Sequence, residues 1–316
     1  MEIPEITVVI PTINRPRKVI TAIDSLDKQT YKGNIYCVVV DSSENNETKN
    51  LIDKQVLKKE NLYIKYIKNN NSTRPIDNWI IGIEEFKTEY GKFLCDDDWL
   101  DQTYLEKCVN IMIAEKIDSV ITDISVIKEN GNSKENYYKV QQGPISKEKV
   151  VNSLLGIESM VPVTPTANLM KSEKLIESFY ESLKHIECTK NLFGFDFYIS
   201  YYSVFKGKGT YLINESLSFS FAGDDSMTLN VKKAMISYCY LFALINLIES
   251  SGFIPNIDQK KGIEHKLATF KIKSFFSREY SKLKYSHSFN SKLNLYKLIV
   301  SQLKKYFIKI IYKINN

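Results

Sequence analysis

The sequence predicts an α/β fold: a doubly wound, mostly parallel sheet flanked by helices, with a C-terminal helical extension. Short β-branched runs alternate with helical patterns over roughly the first 130 residues, and such alternation implies crossover connections between parallel strands. The runs are continuously apolar, as in strands covered by helices on both faces. Polar clusters recur at the carboxyl ends of the runs, where open α/β sheets bind ligands.

In chain order, ITVVIP (6–11) is a strand and a helix spans about Arg17 to Gln29, with Val19, Ile20, Ile23 and Leu26 on one face. IYCVVVD (35–41) is the second strand, and a polar stretch leads to a helix around Leu51–Leu57. LYIKYI (62–67) is the third strand, followed by a helix from Ile76 to Phe86 and the strand KFLC (92–95). A helix over 100–116 and the strand SVITDISVI (119–127) complete the regular part. Beyond it, 148–157 and 191–205 read as helices, 160–167 as a loop or short strand, and 210–221 as one or two strands. Residues 228–250 and the tail from about 288 read as helical. There is no internal repeat and no low-complexity linker.

The chain has 316 residues, 43% hydrophobic and 25% charged, with a net charge of +6. That is room for one large domain or two modest ones of ordinary soluble composition. Five cysteines, Cys37, Cys95, Cys108, Cys188 and Cys239, form no CxxC pair, and the three histidines are far apart. This favours buried free thiols in a reducing compartment over disulfides or a zinc site. The N-terminus has an acid at position 2 and no basic stretch, unlike a secretory signal. The uncharged apolar stretch 236–248 is shorter than the ~20 residues of a membrane span. The expected location is the cytoplasm, with peripheral contact at the inner face of the cell membrane.

Three polar groups fall at predicted strand ends: Pro11, Thr12, Ile13, Asn14 and Arg15; Asp41, Ser42 and Ser43; and Asp96, Asp97 and Asp98. Three consecutive aspartates repel one another, and a bound cation relieves that repulsion. Such hard oxygen donors suit Mg²⁺ or Mn²⁺, with phosphate oxygens completing the shell. The competing reading is a solvated turn that caps the next helix. Asp41 is either a strand-end turn residue or an acceptor for a nucleobase or ribose. Arg74, in STRP before a helix, is either a surface arginine or a donor to a base carbonyl or phosphate.

VVIPTINRP (8–16), VVVDSS (38–43) and RPIDNWIIGIEEFKTEYGKFLCDDDWL (74–100), in that order and spacing, resemble the family 2 glycosyltransferases of the GT-A fold. The resemblance covers about residues 5–130 and continues weakly to about 225. It implies a catalytic domain over 1–225, with the nucleotide-sugar-binding part at about 5–130 and the acceptor part at about 131–225. Residues 226–316 then form the helical extension. The implied reaction is an inverting transfer of a sugar from a nucleotide donor, usually UDP-linked, to an acceptor hydroxyl. Pro11, Thr12, Asn14, Arg15 and Asp41 then hold the nucleotide, Arg74 contacts the base, Asp96 binds ribose, and Asp97 binds Mn²⁺ or Mg²⁺ with Asp98 beside it. Two departures stand out. Cys95 replaces an aspartate frequent in the family, and Ala222, in SFSFAGDDSMT, stands where a histidine is common; Asp224 or Asp225 could substitute for it.

GFDFYISYY (194–202) resembles the segment that carries the family's catalytic base, which makes Asp196 the candidate; Phe195 replaces the acid that usually precedes it. The residues give independent reasoning: partial burial in an aromatic-rich helix would raise a carboxylate's pKa toward a base's working range. The competing reading is an acid stabilised at a helix N-terminus.

After Glu279 the chain has no acidic residue, and 291–316 carries Lys292, Lys297, Lys304, Lys305, Lys309 and Lys313 among aliphatic and aromatic residues. The pattern suits either an amphipathic helix on an anionic lipid surface or a helix packed on protein. The tail lacks arginine and is heavily aliphatic, which argues against nucleic acid as a partner. The expected partners are a nucleotide-sugar donor and a glycan or lipid-linked acceptor. Two rival functions are another metal-dependent phosphate enzyme and a non-catalytic sugar-nucleotide binder. The first would be expected to show a Gly-rich phosphate loop, or a DxD at the end of strand one, and neither is present.

Overall fold

The computed structural model describes residues 3–185, 194–223 and 233–276. In order, the elements are β1 (Ile6–Thr12), α1 (Pro16–Asp27), β2 (Ile35–Asp41), α2 (Glu47–Asp53), β3 (Leu62–Lys68), α3 (Pro75–Ile83), β4 (Tyr90–Phe93), β5 (Trp99–Leu100) and α4 (Tyr104–Glu115). Then come β6 (Ser119–Lys128), β7 (Ser133–Lys134), β8 (Gly143–Pro144), α5 (Lys147–Leu155), a 3-10 turn (Pro165–Ala167), β9 (Asn168–Lys171), α6 (Ser172–His185), α7 (Phe195–Lys206), β10 (Thr210–Ala222), α8 (Lys233–Ser251) and α9 (Ile257–Phe276).

The sheet runs β3-β2-β1-β4-β9-β6-β10-β5, with β7 on β6 and β8 on β10. β3, β2, β1 and β4 are mutually parallel, β6 and β10 are parallel to each other, and β9 is antiparallel to both β4 and β6. The chain leaves β1 toward β2 and β3, then returns to place β4 on the other side of β1. That reversal opens a crevice at the carboxyl ends of the central strands.

Alternate side chains of β1 explain the two cores. Ile6, Val8 and Ile10 join Val19, Ile23 and Leu26 of α1 and Leu105, Val109 and Met112 of α4 on one face. Val9 joins Ile76, Trp79 and Ile83 of α3, Phe179 of α6 and Phe195 and Ile199 of α7 on the other. Gly82 lets α3 lie close on β1, since a Cβ there would stand 2.4 Å from Val9 Cγ1.

The structure departs from the sequence-based expectation in several places. α4 begins at Tyr104, not Leu100, because Asp101 Oδ1 accepts from the Thr103 backbone N–H (2.8 Å) and forms the turn before the helix. Trp99 and Leu100 instead pair with Phe219 and Ser218 of β10. α2 starts earlier than expected, where Asn45 Oδ1 accepts from the Glu47 N–H. β9 and α6 were not expected, and they run into each other with no glycine or proline between them. β3 lies at the sheet edge and alternates in burial instead of being buried throughout. The chain divides into two compact units, residues 1–253 and 254–316. α8, grouped with the extension from sequence, packs against α7 within the first unit. The second unit is described by α9 alone; the tail at 291–316 lies outside the described residues. Cys37, Cys95, Cys108 and Cys239 are free thiols.

Candidate active site

The ends of β1 and β2 meet in register, Thr12 opposite Asp41, with Pro11 inside β1 opposite Val40. Asn14 takes a left-handed conformation (φ +55°), which asparagine tolerates better than most residues. This turn aims its N–H at Ser43 Oγ (2.7 Å). Ser43 donates in turn, through N–H and Oγ–H, to Asp41 Oδ1 (2.8 and 2.5 Å), and the Tyr66 hydroxyl donates to Asp41 Oδ2 (2.9 Å). Asp41 is fully buried, so its carboxylate organises the two loops from beneath.

Asn78, from the first turns of α3, ties a third element to them. Its Nδ2 donates to the Thr12 carbonyl (2.9 Å) and Ser42 Oγ (3.0 Å), and its Oδ1 accepts from Asn69 Nδ2 (2.8 Å). Beside this knot opens a polar cleft of about 480 Å³, lined by Ser42, Ser43, Glu44, Asn69, Asn71 and Ser72. Arg74 stands at the N-cap position of α3, next in sequence to Thr73, which lines the cleft. Its guanidinium is exposed and donates to both Asp77 carboxylate oxygens (Nε 2.8 Å, Nη2 2.7 Å). Such exposed pairs contribute little to stability, so Arg74 can turn toward a ligand at small cost.

The three aspartates have three different environments. Asp96 Oδ2 accepts from Thr12 Oγ1 (2.7 Å), and Arg15 Nη1 bridges Asp96 Oδ1 (2.9 Å) and Asp97 Oδ2 (3.2 Å). Burial raises the Asp96 pKa, against the opposing pull of Arg15. Asp98 points the other way. Its Oδ2 accepts from Thr166 Oγ1 (2.6 Å) and its Oδ1 from the Phe221 N–H (3.1 Å), which joins the acidic loop to the 3-10 turn and β10. Burial, with the Asp97 charge nearby, pushes the Asp98 pKa up to about 7. Under this loop lies Lys92, almost fully buried on β4. Its Nζ donates to the Thr166 carbonyl (2.5 Å) and sits 4.1 Å from the centre of the Tyr104 ring. Burial lowers its pKa to about 7.

No three His, Cys, Asp or Glu side chains converge as a cation cage among the described residues. Both oxygens of Asp96 and both of Asp98 accept from protein donors. A cation here would therefore have to be held chiefly by Asp97, whose Oδ2 also meets Arg15, with ligand phosphate oxygens completing the shell, as Mg²⁺ is commonly held.

Asp196 lies in the first turn of α7. Its Oδ1 accepts from the N–H groups of Gly194 (3.1 Å) and Phe197 (2.9 Å), and its Oδ2 from the Tyr240 hydroxyl of α8 (2.7 Å). Burial raises its pKa to about 6, against these hydrogen bonds. The preceding Phe195 packs edge-on against Trp79 (5.4 Å between centroids), the neighbour of Asn78, so α7 docks on the helix that braces the strand ends. Asp224 and Asp225 lie outside the described residues. Sequence reasoning passed over Asn78, Thr166, Lys92 and Tyr240. Lys92 alone carried a signal, as a lysine inside an otherwise apolar strand.

This reversed sheet, with its polar knot and acidic loop at one edge, is the GT-A architecture of glycosyltransferases. Residues 7–186 match the family described as glycosyl transferase family 2, and the chain belongs to that family. A curated relative, the GalNAc(5)-diNAcBac-PP-undecaprenol beta-1,3-glucosyltransferase of Campylobacter jejuni, is 34% identical over 98 residues. The aligned stretch spans 31% of this chain and 31% of that enzyme. Among solved structures, S. aureus TarS 1–349 in complex with UDP superposes with a TM-score of 0.59 at 12% identity, covering 90% of this chain and 76% of that one. TarS 1–349 in complex with UDP-GlcNAc gives 0.58 at 13% identity, covering 94% and 78%. At these identities the likeness is one of fold.

Proposed function

We propose that the chain is an inverting glycosyltransferase that moves a sugar from a UDP-linked donor to the hydroxyl of a glycan or lipid-linked acceptor in bacterial surface-glycan assembly. The observation that carries this reading is the junction of three strand ends: Thr12, Asp41 and the Asp96–Asp97 pair, tied through Asn78, Ser43 and Arg15 beside a polar cleft. The cleft suits a nucleoside, and Arg15 supplies positive charge where a diphosphate would lie. UDP and UDP-GlcNAc in the TarS complexes support the donor class, and the lipid-linked substrate named for the Campylobacter enzyme supports the acceptor class.

In this reading Asp196 takes the proton from the acceptor hydroxyl as its oxygen bonds to the anomeric carbon. The bond from that carbon to the donor's diphosphate oxygen breaks with its electron pair, and the nucleoside diphosphate leaves. Arg15 turns from the two aspartates to the departing diphosphate, an electrostatic stabilisation of developing charge. Mn²⁺ or Mg²⁺ at Asp97 would add Lewis-acid neutralisation of the same charge. The lysine-rich tail, 291–316, would hold the enzyme peripherally on anionic lipid; no helix among the described residues is long and apolar enough to cross a membrane.

One observation favours a second reading, a sugar-nucleotide binder without turnover: both Asp196 oxygens already accept protein hydrogen bonds. Incubation with UDP-glucose and UDP-N-acetylglucosamine plus Mn²⁺, with UDP release measured, separates the two. Slow release to water supports the enzyme; tight UDP binding without release supports the binder.

A further inference from the structure

We propose that Tyr240, on α8, is a positioning residue for Asp196: its hydroxyl holds one carboxylate oxygen in place and shares the negative charge. The inference rests on the reading of Asp196 as the base, and it makes α8, which lies beyond the family-matched residues 7–186, part of the working site.

Three features of the geometry support it. The Tyr240 hydroxyl donates to Asp196 Oδ2 at 2.7 Å. The Tyr240 ring is stacked on Phe197 (5.5 Å between centroids, 28° between planes), which fixes the direction of that hydroxyl. At Gly194 (φ +86°) a Cβ would stand 2.7 Å from the Cys239 carbonyl oxygen, so glycine allows the α8 backbone to touch the start of α7 one residue before Tyr240.

Among the described residues, the titratable groups facing Asp196 are Tyr240 on α8, with Cys239 beside Tyr240, and Tyr138 in the segment between β7 and β8; Tyr138 in turn faces Tyr201 and Asp123. Burial first, and neighbouring groups second, hold Tyr240 well above its ordinary value, so it stays a donor throughout the working range. None of these groups is a cation. The anion is therefore stabilised by the Tyr240 hydroxyl together with backbone N–H groups, including those of Gly194 and Phe197. Without the hydroxyl, burial would raise the base further and leave more of it protonated at neutral pH.

The test is Tyr240→Phe, which keeps the ring and its stacking. Aspartate carboxyl carbons are labelled with ¹³C, and the Asp196 resonance is assigned by its loss in Asp196→Asn. The expected midpoint is near 6 in the wild type and about one unit higher in Tyr240→Phe. UDP-sugar turnover at pH 6 should fall about fivefold and recover toward pH 8, with UDP affinity unchanged. An unmoved midpoint, or a uniform loss of turnover at every pH, overturns the proposal. If Tyr240→Phe does not fold, 3-fluorotyrosine at position 240 makes a stronger donor of the same shape and must lower the midpoint; an unchanged midpoint again overturns it. Active Asp196→Asn would instead remove the base reading, while the titration would still report on the Tyr240 contact.

Discussion

Asn78→Ala should both destabilise the fold and weaken nucleotide binding. Asn78 is 2% exposed and makes three hydrogen bonds, to the Thr12 carbonyl, Ser42 Oγ and Asn69 Nδ2. Each is worth about 1 kcal/mol net, and a buried partner left unpaired costs about 1–3 kcal/mol. Thr12, Ser42 and Asn69 are all buried. The sum over partly relaxed partners is about 2–4 kcal/mol of stability. The Thr12 carbonyl also loses its brace, and Thr12 Oγ1 is the group that holds Asp96. UDP affinity should fall at least tenfold. Urea unfolding gives the stability and calorimetric titration with UDP the affinity. A variant as stable as the wild type would refute the hydrogen-bond argument. Wild-type affinity despite the lost stability would show that these strand ends do not form the nucleotide site.

Asp97→Asn should lower UDP affinity at least tenfold in Mn²⁺ and little in chelator, with stability changed by under about 1 kcal/mol, because its pair with Arg15 is partly exposed; calorimetry in both conditions checks this. Asp196→Asn should cut transfer by about 10²–10⁴-fold and leave UDP affinity intact. In the wild type the rate should fall below about pH 6 as the raised carboxyl takes up a proton. Because that pKa is raised, the stabilising contribution of the carboxyl is full below about pH 4 and is lost as pH rises through about 6, so in thermal unfolding the Asn variant should gain on the wild type over that window. Deleting 291–316 should release the protein from vesicles containing anionic lipid without loss of UDP-sugar turnover, as read by co-sedimentation.

The strands of the first half were legible because β1, β2 and β4 are buried on both faces, and the sequence shows this as unbroken apolar runs. Their carboxyl ends then identify Thr12, Asp41 and Asp96 as neighbours before any coordinates. The insertion of β9 between β4 and β6 was not legible, because four residues of antiparallel strand leave no periodic signal and pass straight into α6. The start of α4 was misread because helical periodicity extends back to Leu100; the pairing of Trp99 and Leu100 with β10 is a long-range contact that local pattern does not encode. The different environments of the three aspartates were equally hidden. Thr166 and Phe221, far along the chain, turn Asp98 inward, while Arg15 draws Asp96 and Asp97 together. Tyr240 escaped notice for the same reason, since its partner Asp196 lies 44 positions earlier on another helix.

If the site is as proposed, a uridine nucleotide binds at the carboxyl edge of β1, β2 and β4. Amide hydrogen exchange with and without UDP and Mn²⁺ tests it most directly. Protection confined to segments 11–15, 41–44, 69–78 and 96–98 is the predicted result. Absence of protection there, with UDP bound elsewhere or not at all, would contradict it.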